Sequence, residues 1–335
     1  MKRQQYPGPL EVIVASALLP PDNPAPAAGY PAAAEPDASG GPPASATDKV
    51  RNLWTGVKRA RHRILVFCDA DVEVPSTLLR ELVQALSQPE AGLSYALPCW
   101  TGARSGGPLL LQAWANAQVG AFLLPIARYA RRRPVTGALV VIPRQVLEEI
   151  GGVAALAGYL ADDARLGDLV QTAGYRAIPC GWVRVASGNR GWGEALSTFL
   201  RWLLTLRHHT PLAYTLSYLT HWVTAGLIWG LWMQARGANP LCAWVPLVAA
   251  AVARVWSASL PARYARAPDP WVAVLAPLAD LVAAVLWPAP LLVRRVTWAG
   301  TTFRVLGGGR VLPVRAPGDT GTSHATKRNS PAGRQ

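Results

Sequence analysis

The stretch ILVFCDAD, Ile64–Asp71, decides how this chain is read. Ile64 to Cys68 is a short continuous apolar run with β-branched members. Such a run fits a strand buried on both faces, as in the centre of a parallel sheet. It stops at Asp69-Ala70-Asp71. In doubly wound folds, ligands bind beyond the carboxyl ends of the strands. Two carboxylates at such an end offer oxygen ligands to a hard divalent cation. The same tripeptide is also compatible with a solvated loop.

Working outward, Pro75-Ser76 opens a helix that brings Leu79, Leu82, Val83 and Leu86 to one face. Leu93–Pro98 and Ala138–Pro143 read as further strands. Between them Leu109–Ala130 is a long apolar stretch running into Arg131-Arg132-Arg133, which fits a core or interfacial helix with a basic end. Asp162–Gly174 reads as a helix closed by glycine, Tyr175–Ala186 as a strand, and Glu194–Arg207 as a helix. Upstream, Leu10–Ala17 reads as a buried strand, and Pro20–Thr47 as a Pro/Ala/Gly-rich loop or insertion. Strands alternating with helices imply an α/β fold with a mainly parallel, Rossmann-like sheet.

Beyond Arg207 the chain becomes much more apolar and rich in Trp, as expected of rings at a membrane interface. His208–Ala235 has no Asp, Glu, Lys or Arg and is long enough to span a bilayer. Gly237–Ala253 is shorter and borderline. Pro270–Val293 is long enough but holds Asp280 together with Pro277, Pro288 and Pro290, so Asp280 must face protein or water. Arginines follow the second and third segments, and an Arg-rich unit precedes the first. The positive-inside tendency is then best met by two spans, a third segment in the interface, and the N-terminal unit in the cytoplasm. Ala316–Gln335 reads as a polar, disordered tail. The expected division is a catalytic unit over 1–207, a membrane region over 208–295, and a C-terminal segment over 296–335.

The chain has 335 residues, of which 51% are hydrophobic, and a formal net charge of +14. A basic chain can bind nucleic acid, anionic lipid or a phosphorylated small molecule, but arginines flanking the apolar segments are the simpler explanation of the charge. No module for nucleic acid is legible. Cys68, Cys99, Cys180 and Cys242 form no CxxC pair, which argues against a zinc site or disulfide framework. Met1 to Gly8 is polar and unlike a signal peptide.

Two further sets of residues can carry chemistry. Asp162-Asp163 begins a helix, where acidic residues are favoured by the helix dipole alone. Equally, one of them could take a proton from an acceptor hydroxyl. Arg201-Trp202 near the membrane boundary could be an interfacial anchor, or an arginine that pairs with a diphosphate beside an indole.

The order of the pieces is more specific than any one of them. Leu10-Glu11-Val12, Lys49-Val50-Arg51-Asn52-Leu53, Asp69-Ala70-Asp71, Val135-Thr136-Gly137, Gly151-Gly152, Ala161-Asp162-Asp163 and Leu200-Arg201-Trp202 follow in series. Val296-Thr297-Trp298-Ala299-Gly300 and Phe303-Arg304-Val305 close it. The series resembles the ceramide glucosyltransferase family, including its bacterial hopanoid-associated relatives, from about residue 5 to 313. The resemblance implies a cytosol-facing GT-A catalytic domain followed by membrane helices. It implies inverting, metal-assisted (Mg or Mn) transfer from a UDP-sugar to a lipid hydroxyl. It assigns metal and diphosphate to Asp69 and Asp71, the general base to Asp163 with Asp162 in support, and the rest of the diphosphate site to Arg201 and Trp202.

The chain also departs from the family pattern. Thr198 stands where the last motif has Gln, and Asp22 is the nearest stand-in for an early aspartate. The family's N-terminal membrane helix and first strand would precede Met1, so a misassigned start, a fragment or a decayed enzyme is expected. A catalytically inactive, membrane-bound partner is the alternative reading. Another keeps the chemistry but uses a polyprenyl phosphate or polysaccharide acceptor.

Overall fold

The structure, a computed structural model, describes residues 4–15, 46–188, 191–293, 295–298 and 301–314. Five strands make the main sheet: β1 (Ile64–Cys68), β2 (Val72–Glu73), β3 (Ala91–Thr101), β4 (Leu139–Pro143) and β5 (Arg176–Ala186). Their spatial order is β1-β4-β3-β5-β2. β3 and β5 pair in parallel, while the pairings β1–β4, β3–β4 and β2–β5 are antiparallel. β1, β3 and β5, which hold most of the sheet's residues, therefore run one way, and the shorter β4 and β2 run against them. The architecture is mixed α/β.

Helices cover both faces of this sheet. Alternation along β4 sends Val140 and Ile142 into one cluster and Leu139 and Val141 into the other. The first cluster is closed by α1 (Asp48–Arg59), α5 (Arg144–Glu149) and α6 (Asp162–Thr172). The second is closed by Leu79 and Leu82 of α2 (Leu78–Ala85). Thr47 begins α1, its hydroxyl accepting the Val50 N–H at 3.4 Å. α2 starts one residue later than Ser76 suggests, with Thr77 at the N-cap position and Leu78 as its first residue.

Two strand expectations need correction. β1 is an edge strand among the described residues, not a central one, and its one partner, β4, is antiparallel. Residues 10–15 are not a buried strand: they have no regular structure, and Leu10 and Val14 are exposed. They lie along one side of a cavity that β1 borders. Ser16 and Ala17, most of the Pro20–Thr47 stretch and the tail after Ala316 lie outside the described residues.

The apolar stretch after β3 forms α3 (Gly106–Gln118), a π-helical turn at Val119–Leu123, and α4 (Leu124–Tyr129). Together these make one helix of 24 residues, Gly106–Tyr129. Two of its polar side chains hold β3 and the loop after it. Asn116 bonds both the N–H and the carbonyl of Trp100 at 2.9 Å, and Gln112 accepts the Ala103 N–H at 2.9 Å. At the π turn, a Cβ on Gly120 would run into the Ser257 carbonyl, so glycine permits this crossing.

Beyond α7 (Trp192–His209) come α8 (Pro211–Ser217), α9 (Trp222–Ala235), α10 (Pro240–Tyr264), α11 (Pro270–Val274), α12 (Ala276–Leu286) and α13 (Ala289–Leu292). Here the sequence reading is corrected. His208–Ala235 is not one spanning helix: the chain breaks at Thr210-Pro211 and again at Tyr218–His221. The borderline segment is instead part of the longest helix, α10, with 25 residues. Asn239 caps α10, its Oδ1 accepting the Leu241 N–H at 2.9 Å. Arg254, where the sequence pattern ended the segment, is fully buried against Asp280 of α12 at 2.9 Å. The Asp280 carboxylate also accepts the Val223 N–H at 3.1 Å and lies 3.3 Å from the His221 ring. It thus caps α9 and neutralises α10, which answers why an aspartate stands in an apolar segment.

A small antiparallel sheet closes the described chain: β6 (Arg295–Trp298), β7 (Thr301–Val305) and β8 (Val311–Pro313).

Candidate active site

The end of β1 places Asp69 beside the first turn of α1 and the first turn of α6. Asp69 is held there by its own N–H, which donates to the Ala138 carbonyl at 3.1 Å. The Lys49 ammonium sits between carboxylates from two elements. It lies 3.1 Å from Asp69 Oδ1 and 3.4 Å from Asp162 Oδ2. Asp163 is fixed differently. Its Oδ2 accepts the Gly137 N–H and its Oδ1 the Ala164 N–H, both at 2.8 Å. Gly137 must lack a side chain for this approach, because a Cβ there would stand 3.0 Å from Asp163 and 3.1 Å from the Lys49 nitrogen.

The first turn of α6 is positioned from behind. The loop before it pairs with the C-terminal segment: Leu160 N–H donates to the Gly309 carbonyl at 2.9 Å, and Val311 N–H donates to the Gly158 carbonyl at 2.7 Å. Leu160 is buried with Leu204, Val296, Phe303, Val305 and Val311. The C-terminal motif and the Asp162-Asp163 motif, far apart in sequence, are thus one packing unit.

Charge follows the geometry. Burial opposes the Lys49 ammonium, but Asp162, Asp69 and Asp163 outweigh it and hold its pKa above the ordinary lysine range. Burial pushes the Asp162 carboxyl up to about 6 against the pull of Lys49, with Asp163 and Asp69 adding to the rise. Burial also raises Asp69, Lys49 opposes it, and Asp71 adds to the rise. Burial lowers Arg201, while Asp163 and Asp162 support its charge, so the α7 arginine lies within electrostatic reach of the cluster. Trp202 packs between Trp100 (centroids 5.2 Å apart) and Trp114 (6.2 Å), which ties α7 to β3 and α3.

Asp69, Asp162 and Asp163 therefore converge with Lys49 on one cavity, and Arg201 lies within electrostatic reach of Asp163 and Asp162. Asp71 is exposed on the turn, two residues beyond Asp69. Among the described residues no set of three or more His, Cys, Asp or Glu side chains is arranged to hold a metal. The expected pair, Asp69 and Asp71, falls short of such a set, and Asp69 lines the cavity that β1 borders while Asp71 does not. Magnesium is commonly held by one or two carboxylates, with substrate phosphates and water completing the shell. Lys49 and Gly137 belong to quoted motifs, but neither was given a role from sequence.

A cavity of about 890 Å³ opens from this cluster along the free edge of β1. Lys49, Asp69, Asp162 and Asp163 line one part of it, and Phe67, Val66, Leu10 and Val12 line another. A charged end and an apolar flank suit a ligand with a phosphorylated part and a flatter, less polar part.

A family model described as glycosyl transferase family 21 matches residues 27–311. The chain belongs to that family. It is a glycosyltransferase, as the resemblance implied, and every residue of the acidic cluster falls within the matched range. Two helices, Gly106–Tyr129 and Pro240–Tyr264, are long and apolar enough to cross a membrane.

Proposed function

We propose that this glycosyltransferase moves a sugar from a UDP-sugar to a lipid hydroxyl with inversion, on a GT-A-like catalytic unit. The observation that carries the reading is the cavity of about 890 Å³ ending at the cluster of Asp69, Asp162, Asp163 and Lys49. Its volume lies within the roughly 300–1,000 Å³ of small-molecule sites. The diphosphate belongs at the acidic end of the cavity, where Arg201, within electrostatic reach of Asp163 and Asp162, would supply positive charge. Trp202 keeps that arginine in place through its stacking. Asp69 and Asp71 would hold a magnesium or manganese ion with the diphosphate oxygens. When bound, the ion offsets charge on the leaving diphosphate.

Asp163 is the proposed base. Two backbone N–H groups aim its carboxylate, and the acceptor hydroxyl gives up its proton there. Asp162 is turned to Lys49 and nearly buried, so it supports the cluster. We place the catalytic unit at 1–207 on the cytoplasmic side, a multi-pass membrane region at 208–295 and a C-terminal segment at 296–335. The lipid acceptor then reaches the site from the membrane.

Separate measurements of donor binding and of transfer test this. Asp163→Asn keeps the shape but cannot take a proton. It is expected to lower transfer about 10²–10⁴-fold, with UDP-sugar affinity within about threefold of wild type. Transfer at the normal rate would remove Asp163 from the role. Chelator is expected to abolish donor binding, and undiminished binding would remove the metal.

A further inference from the structure

Helix Gly106–Tyr129 ends against a second cleft, of about 800 Å³, lined by Arg131, Arg132, Arg133 and Arg176 with Tyr129 and Tyr175. We propose that this cleft binds the phosphate of an anionic phospholipid headgroup. It is not part of the donor site. α6 carries Asp162 and Asp163 in its first turn and Gln171 in its last, which puts the two sites about 12–14 Å apart along that helix.

The cleft is built rather than loose. Arg133 N–H donates to Gln171 Oε1 at 2.8 Å, and Gln171 Nε2 donates back to the Arg133 carbonyl at 3.0 Å. The Arg133 guanidinium donates to the Ala177 carbonyl at 3.1 Å. Arg176 is set opposite by its N–H, which donates to the Glu90 carbonyl at 2.6 Å. Among the described residues none forms an ion pair with Arg131, Arg132 or Arg176. Two carboxylates stand nearby: Glu90 lines the cleft, and Glu149 accepts the Tyr175 hydroxyl at 2.6 Å. Four guanidinium groups repel one another unless an anion sits among them, and their planar forks match phosphate oxygens.

The surroundings favour a lipid as the source of that phosphate. The basic tract follows a helix long and apolar enough to cross a membrane. At the helix end Tyr129 is 80% exposed and Ile126 is 42% exposed. Arginine, tyrosine and aliphatic groups side by side are the composition of a membrane–water boundary.

The test uses the full chain in nonionic detergent with short-chain phosphatidylglycerol as the probe, titrated by native mass spectrometry. Each basic side chain near an anionic surface contributes about fivefold in affinity. R131Q/R132Q/R176Q should therefore weaken phosphatidylglycerol binding about a hundredfold. R131K/R132K/R176K should stay within about tenfold of wild type. Arg133 is left intact because it holds the loop. Wild-type affinity in the glutamine variant overturns the proposal, as does equal affinity for phosphatidylcholine. Displacement of the lipid by equimolar inorganic phosphate or UDP also overturns it, and assigns the cleft to a soluble anion. If the glutamine variant does not fold, wild type is titrated at rising salt, and an affinity that does not fall is equally fatal.

Discussion

A cation in the first turn of a helix works against the helix dipole, and Lys49 stands in the first turn of α1. That local misfit is the signal by which Lys49 could have been singled out from sequence. Its reason is tertiary: Asp69 and Asp162, from other elements, close on its ammonium. The aspartates themselves were legible, because paired carboxylates at a strand end and at a helix start stand out. Their division of labour was not, since it depends on which carboxylate meets Lys49 and which meets backbone N–H groups. Asp162 offers a pH test. Its carboxyl is raised to about 6 from an ordinary 3.8, chiefly by burial. Between those values the folded chain binds more protons than the unfolded chain, so stability falls as pH rises through that window. Asp162→Asn cannot ionise and escapes this loss. Relative to that variant, wild type should lose thermal stability between pH 4 and pH 6, read as the difference in melting temperature. A difference that is flat across that range would remove the titration.

Elements were legible where a local pattern sufficed. The alternating or continuous apolar runs of β3, β4 and β5, and the acidic start of α6, stand where the sequence put them. The misreadings after α7 share one cause, polar groups satisfied by distant partners. Arg254 looked like the end of an apolar segment, yet it lies mid-helix because Asp280 neutralises it. His208–Ala235 looked continuous because no charge interrupts it, yet α9 begins afresh where Asp280 accepts its first N–H groups. The edge position of β1 has no signal in its own residues at all. The Arg254–Asp280 pair makes a prediction at this scale. Removing one partner of a buried pair leaves an uncompensated charge, at about 3–5 kcal/mol. Asp280→Ala should therefore lower the melting temperature sharply in detergent. Arg254→Met with Asp280→Leu should recover much of the loss, because no charge remains, although the cap on α9 is gone. If the double variant is no better than the single one, the cap rather than the charge is what Asp280 supplies.

At the scale of the whole molecule, one face of α10 is left uncovered by the described residues. Leu241, Val245, Val248, Val252 and Trp256 recur every three or four residues along it and are each more than half exposed. The other face buries Ala243, Arg254, Ser257, Ala258 and Ala262. α9 and α12 continue the exposed apolar surface through Ile228, Leu231, Trp232, Leu278 and Val285. Water-exposed patches of this extent are unfavourable for a soluble chain, whereas a bilayer would cover them. The 25 residues of α10 give a helix of about 38 Å, against a hydrocarbon core of about 30 Å. The chain should accordingly stay in the membrane pellet after a carbonate wash and leave it only with detergent. Val248 lies near the middle of the exposed stripe, where an aspartate adds about 2.5–3.5 kcal/mol to insertion. Val248→Asp should therefore move a large fraction of the protein out of the pellet or into aggregates. Ala251→Ser in the same turn, which adds no charge, should leave the distribution unchanged. Wild type recovered in the carbonate supernatant, or Val248→Asp retained like wild type, would mean that the stripe faces something other than lipid.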